Sequence, residues 1–229
     1  MNLLKDMQFY EWLIVSSMAP GAVIGIARFR SLPLFMKYVA LFFVCSLGME
    51  LAADYRMIVL RQNNLIFYHL MTLLQYTFLA FSFREVIFFP WGKKLILLSV
   101  LVVFAVEIVF VSTGIQVFTQ SPSWLRLMCR TLLLCWILLY LKTLLQSDKP
   151  QPLLSIPSFW VCLGILVHFA SFLQVGIMRY LIETDRPLAL FWYHISIWFD
   201  VIFYIICAYA LYLAASRAPT DDHVQWDSF

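Results

Sequence analysis

The stretch "PLFMKYVALFFVCSLGMELAADYRMIVL", Pro33 to Leu60, decides the fold. Between Pro33 and Glu50 its only charge is Lys37. Coiled as an α-helix, its 28 residues would reach about 42 Å. That exceeds the roughly 30 Å hydrocarbon core of a bilayer. The run does not alternate polar and apolar residues, so it reads as a spanning helix and not as a barrel strand. Near its end come Glu50 and Asp54, four residues apart and therefore on one helical face. These two carboxylates either mark a site or lie where water begins.

The same pattern recurs along the chain. Apolar runs separated by Pro, Gly, Asn and Ser predict seven spans, at about 8–27, 33–60, 64–88, 94–112, 123–145, 157–181 and 188–215. Pro20-Gly21 falls inside the first, and Pro90-Trp91-Gly92 closes the third. Residues 1–215 thus read as one transmembrane domain, and 216–229 as a polar tail. The expected fold is an all-α membrane protein, a single bundle of seven transmembrane helices. No soluble domain is left over, so function lies within the bilayer or at a partner.

Composition agrees. Of the residues, 63% are hydrophobic, against about 45–50% in soluble domains, and the mean hydropathy is +0.85. Aromatic residues are abundant, as expected at lipid interfaces. A net charge of +3 with no basic stripe excludes nucleic acid as a partner. Cys45, Cys129, Cys135, Cys162 and Cys207 all lie in apolar runs without disulfide or metal spacing, and read as small apolar residues. No cleavable leader is evident, because the first run follows Asp6, Tyr10 and Glu11 and no basic segment.

Lys and Arg near the span ends set the orientation. Arg28, Arg30, Lys37, Arg84, Lys93, Lys94, Lys142, Lys149 and Arg217 fall on one side, and Lys5, Arg56, Arg61, Arg126, Arg179 and Arg186 on the other. The richer side is expected to be cytoplasmic. This places the N-terminus outside, the C-terminus in the cytoplasm, and the chain in the inner (plasma) membrane as a multi-pass protein.

The topology sorts the ionisable residues by depth. Glu11, Glu50, Asp54, His69, Glu107, Arg130, His168, Gln174, Arg179, His194 and Asp200 all fall in the N-terminal-side half of the spans or at their middle. The other half carries almost no charge. Ionisable groups in a membrane are costly, so they face the bundle interior or water and pair with each other. The expectation is a polar cavity open to the outside. For single residues a blander role is available. Glu11, Asp54 and Arg179 suit head-group depth, and Arg130 suits a buried pair with Glu107 or Glu50.

Three chemistries fit such a cluster. The favoured one is a non-enzymatic sensor or receptor-like module. Its ligand site would use Glu50, Asp54, His69, Glu107, Arg130, His194 and Asp200, and the excess of acid selects a small polar or cationic ligand, or protons. Tyr68, Phe191, Trp192, Tyr193 and Trp198 would wall it. The second is a zinc-dependent intramembrane hydrolase using Glu50, His69, His168, His194 and Asp200. No His-x-x-x-His is present, however, and the paired histidines that alkaline ceramidase-like hydrolases carry on their last helix are missing. The third is a proton or ion path, which the uncharged half disfavours. Retinal is excluded because no lysine follows Lys149 to form a Schiff base. No cofactor is expected outside the zinc reading.

Two stretches carry a resemblance. "NNLIFYHLMTLLQYTFLAFSFRE" (Asn63 to Glu85) resembles the third helix of small bacterial seven-helix membrane proteins of unassigned function. There an Asn-rich turn precedes a Tyr-His pair, followed by an acidic residue whose place is taken here by Gln75. "SFWVCLGILVHFASF" (Ser158 to Phe172) resembles their sixth helix, with His168 in place of a more usual Tyr. Such proteins look similar to membrane sensory modules and can occur beside histidine-kinase genes. The resemblance therefore implies a cytoplasmic signalling partner such as a histidine kinase.

Overall fold

The structure is a computed structural model that describes residues 3–115, 117–146 and 152–217, with side chains described except at 3–8, 11, 170–183 and 186. Among the described residues it is all-helical. The helices are α1 (Leu3–Arg28), α2 (Leu34–Ile58), α3 (Leu65–Val86), α4 (Pro90–Ser112), α5 (Ser123–Leu145), α6 (Pro157–Thr184) and α7 (Arg186–Ser216), with one 3₁₀ turn at Leu153–Ser155. Five of them, α2, α3, α4, α5 and α7, are long and apolar enough to cross a membrane. The chain is thus a multi-pass membrane protein. In α1 and α6 the described apolar stretches, Trp12–Arg28 and Pro157–Phe169, are shorter.

Most helix ends fall within a few residues of the expected runs. α1 opens at Leu3, five residues before its expected run, and the fourth helix also differs at its start. It opens at Pro90, and not at Lys94 as its apolar run predicts. Proline lacks the N–H that the first helical position does not use, and its fixed φ suits that position. Pro90-Trp91-Gly92 therefore begins α4 instead of closing α3. At the far end Gly114 takes φ +71°, a left-handed conformation that ends the helix at low cost. Asp185 caps α7 by accepting from the Leu188 N–H at 3.1 Å.

α1 packs against α2 and α7, α2 against α3, α3 against α4 and α5, and α6 against α5 and α7. Small residues permit the closest approaches. A Cβ on Gly25 would sit 2.9 Å from the Ala40 Cβ, and one on Gly164 would sit 2.8 Å from the Cys207 Sγ. Gly21 faces the ring of Phe43 within continuous helix, immediately after Pro20. Gly176, the other glycine suited to bending, lies outside the described side chains. All five cysteines are free thiols.

The half of the bundle that carries charge only near its helix ends is not simply apolar. Tyr76 Oη lies 2.6 Å from Ser99 Oγ and accepts from the Trp136 indole N–H at 3.3 Å, tying α3, α4 and α5 together. Tyr140 Oη lies 2.7 Å from Ser158 Oγ, tying α5 to α6. These neutral pairs are embedded among Phe83, Ile96, Val100, Ile137, Val161 and Cys162.

Candidate functional site

Two polar groups occupy the other half. The first joins α3, α4 and the connection between α4 and α5. His69 stands about 6 Å from the start of α3, and Glu107 about 8 Å from the end of α4. Both are buried, at 0% and 5% exposure. His69 Nδ1 and Glu107 Oε1 are 2.5 Å apart, and His69 Nε2 lies 2.9 Å from the Gln120 carbonyl oxygen. Phe118 meets the imidazole edge-on. The Asn63 amide donates to the Thr119 carbonyl at 3.4 Å, which ties the same connection to the one between α2 and α3.

These contacts fix the proton count. A backbone carbonyl only accepts, so Nε2 carries a hydrogen. A contact of 2.5 Å between Nδ1 and a carboxyl oxygen needs one proton between them. The pair therefore holds two protons and is neutral overall, as imidazolium–carboxylate or imidazole–carboxylic acid. Glu107 Oε2 is fully buried and has no hydrogen-bond partner among the described residues.

The second group joins α2, α3, α5, α6 and α7. Glu50, 5% exposed and about 12 Å from the end of α2, accepts from the Tyr68 hydroxyl at 3.2 Å. The Tyr68 ring lies under the Arg126 guanidinium, 5.7 Å from ring centroid to Cζ. Arg126 and Arg130, four residues apart, share a face of α5 and both act electrostatically on Asp200 of α7. Asp200 Oδ1 is 2.7 Å from His168 Nδ1, and that imidazole stacks on Phe203. The Gln75 amide closes the group, donating to Ser46 Oγ at 2.9 Å and to Tyr204 Oη at 3.4 Å. Cys129, buried on α5, lies between the two groups only in the sense that both Glu107 and Arg130 act on it electrostatically.

The residues singled out from the sequence thus sit in different settings. Glu50, Arg130 and Asp200 belong to the second group, and His69 and Glu107 to the first. Asp54 lies one turn from Glu50, and its buried Oδ1 has no hydrogen-bond partner among the described residues. His194 stacks on Tyr10 of α1, with centroids 4.6 Å apart. Of the aromatic residues expected to wall a pocket, Tyr68 is in the group, while Phe191 and Trp198 lie exposed. The side chains of Glu11, Gln174 and Arg179 are outside the described residues.

Sequence reasoning missed the roles of Arg126, Gln75 and Tyr204. A signal existed for two of them, since Arg126 and Arg130, and likewise Asp200 and Tyr204, have the four-residue spacing of one helical face.

Metal donors fall into pairs. His69 faces Glu107 and His168 faces Asp200, and among the described residues no three His, Cys, Asp or Glu side chains gather around one point. A cleft at the other end of the bundle, between the α1–α2 turn, Pro157 and Arg217, is remote from both groups. There Arg217 donates to the Ser155 carbonyl. No protein-family model, curated protein or solved structure matches this chain.

Proposed function

We propose that this chain is a seven-span sensor or receptor-like module of the inner (plasma) membrane, with its N-terminus outside and its C-terminus in the cytoplasm. A small polar or cationic ligand, or a proton, binds at the polar groups. The resulting shift in helix packing is read by a separate cytoplasmic partner such as a histidine kinase. The observation that carries this reading is the joining of five helices through charged and hydroxyl groups around Glu50, Arg126 and Asp200. Charges held inside a membrane bundle are costly and need a compensating use. Here each helix contributes a group whose best partner lies on another helix, so occupation or protonation of one alters the packing of several. His168 and Asp200 keep 17% and 29% side-chain exposure although they stand near the middle of their helices. That leaves part of each side chain open to a ligand or a proton.

Protons are favoured by one specific feature, the His69–Glu107 contact, which needs a proton beyond the one that the Gln120 carbonyl holds on Nε2. A transmembrane proton path is not favoured, because the groups give way to the neutral Tyr76–Ser99–Trp136 and Tyr140–Ser158 ties.

The test is unfolding of the purified protein in detergent against a panel of small organic cations and against pH. A ligand at about 100 times its Kd adds about 2.7 kcal/mol of stability. A stabilisation that Glu50→Gln removes is expected. A protein that responds to no cation and no pH change, or whose response survives Glu50→Gln, would overturn the reading.

A further inference from the structure

The charges around Tyr68 are of both signs, and two of them are not used by the protein itself. Arg126 offers five N–H donors. Its side chain makes no hydrogen bond and no ion pair among the described residues; its guanidinium lies over the ring of Tyr68. It is half-buried, and Asp200, Tyr68, Glu50 and Tyr204 all act on it electrostatically. Asp200 and Glu50 lie beyond ion-pair distance of it, since the ion pairs among the described residues are His69–Glu107, Arg84–Glu85 and His168–Asp200. The opposite charge is Asp54. Its Oδ1 is buried without a hydrogen-bond partner among the described residues, and it too lies within electrostatic reach of the Tyr68 hydroxyl.

A guanidinium and a carboxylate that flank one phenol ring without touching would, if nothing separated them, close into an ion pair. Arg126 of α5 stands over the Tyr68 ring and Asp54 of α2 within electrostatic reach of the Tyr68 hydroxyl, so a donor fork and an acceptor serve one aromatic side chain. A lone cation would satisfy Asp54 but be repelled by Arg126. A lone anion would satisfy Arg126 but meet Asp54 and Glu50. A molecule bearing both charges satisfies both ends.

The geometry points to a binding site for a small zwitterion, its carboxylate on Arg126 and its ammonium on Asp54, with Tyr68 against the carbon chain between them. This rests on the receptor reading above and narrows its ligand class. Arg126 stands about 5 Å from the start of α5 and Asp54 about 6 Å from the end of α2, so the site lies near one end of the bundle.

The test uses the full-length protein in lipid nanodiscs. The probes are the ω-amino acids from glycine to 6-aminohexanoate, with the n-alkylamines and n-alkylcarboxylates of matching length. Binding is read by thermal unfolding and by calorimetric titration. At least one ω-amino acid is expected to raise Tm more than either single-charge analogue of its length. Its affinity is expected to fall about tenfold or more in Arg126→Gln and in Asp54→Asn, each of which loses a charge-assisted hydrogen bond. Arg126→Lys keeps the charge without the fork and should fall between wild type and Arg126→Gln. An amine that binds as well as the zwitterion overturns the inference but leaves the receptor reading standing. So does a response to pH or organic cations with none to the ω-amino acids. Silence to every probe, with no pH response, overturns both. If Arg126→Gln does not fold, the comparison of zwitterion with amine and carboxylate on the wild-type protein decides the matter.

Discussion

His69 makes two hydrogen bonds that require different things of its ring. The Gln120 carbonyl requires a hydrogen on Nε2, and Glu107 requires one proton shared with Nδ1. A neutral amide at position 107 meets the same demand, because its N–H can donate to an unprotonated Nδ1. Glu107→Gln is therefore expected to cost less than about 1 kcal/mol, the scale of one ordinary hydrogen bond. His69→Ala is expected to cost more. It leaves the Glu107 carboxyl buried with both oxygens unsatisfied, a penalty of about 1–3 kcal/mol, and it removes the packing of the imidazole on Phe118. Chemical denaturation in detergent measures both. Equal losses in the two variants would show that the pair is held as a fixed imidazolium–carboxylate, for which glutamine is no substitute.

At the scale of elements, the distances allowed between helices are set by residues without side chains. Gly25 and Gly48 make a matched pair. A Cβ on Gly25 would lie 2.9 Å from the Cβ and 3.2 Å from the Cα of Ala40, and the latter is backbone that cannot step aside. Gly25→Leu is expected to force α1 from α2 and to destabilise by about 1–3 kcal/mol or more. Gly48, inside α2, has nothing within 4 Å of where its Cβ would be. Gly48→Ala is expected to stabilise by about 0.5–1 kcal/mol, through the lower conformational freedom of alanine in the unfolded chain. Thermal unfolding of the two variants side by side checks the pair, and a destabilising Gly48→Ala would mean that a lipid or a second copy uses that surface. Element ends were legible in the sequence because breakers bound each run, and the start of α4 was misread because Pro90 serves a helix start as well as a break. That His69 shares a level with Glu107, and His168 with Asp200, was legible too. Their pairing was not. In water an amphipathic pattern tells which face turns inward, but in a bilayer the lipid side and the core side are both apolar. The rotation of α3 and α5, which brings Gln75 to Ser46 and Arg126 over Tyr68, therefore leaves little trace in the apolar pattern.

For the whole molecule, the decisive quantity is which side of the membrane the polar groups face. Arg28, Arg84, Lys142 and Arg217 stand at the C-terminal ends of α1, α3, α5 and α7, whereas Arg56 and Arg126 stand at the opposite end with the polar groups. Basic residues concentrate on the cytoplasmic side, so the groups around Glu50 and His69 should face outward. Single cysteines in exposed connections read this out with the full chain, once the five native cysteines, all within helices, are replaced by serine or alanine. Ser121→Cys lies between α4 and α5 on the expected outer side, and Leu154→Cys lies between α5 and α6 on the expected inner side. In whole cells a membrane-impermeant maleimide should label Ser121→Cys at once and Leu154→Cys only after the membrane is opened. The reverse pattern would turn the polar groups toward the cytoplasm, and the proposed ligand would then have to come from cytoplasmic metabolism and not from the surroundings. Labelling of both without opening would mean that the two connections share a face, which an α5 that crosses the membrane forbids. That result would remove the alternating topology on which the common depth of Glu50, His69, Glu107 and Arg130 depends.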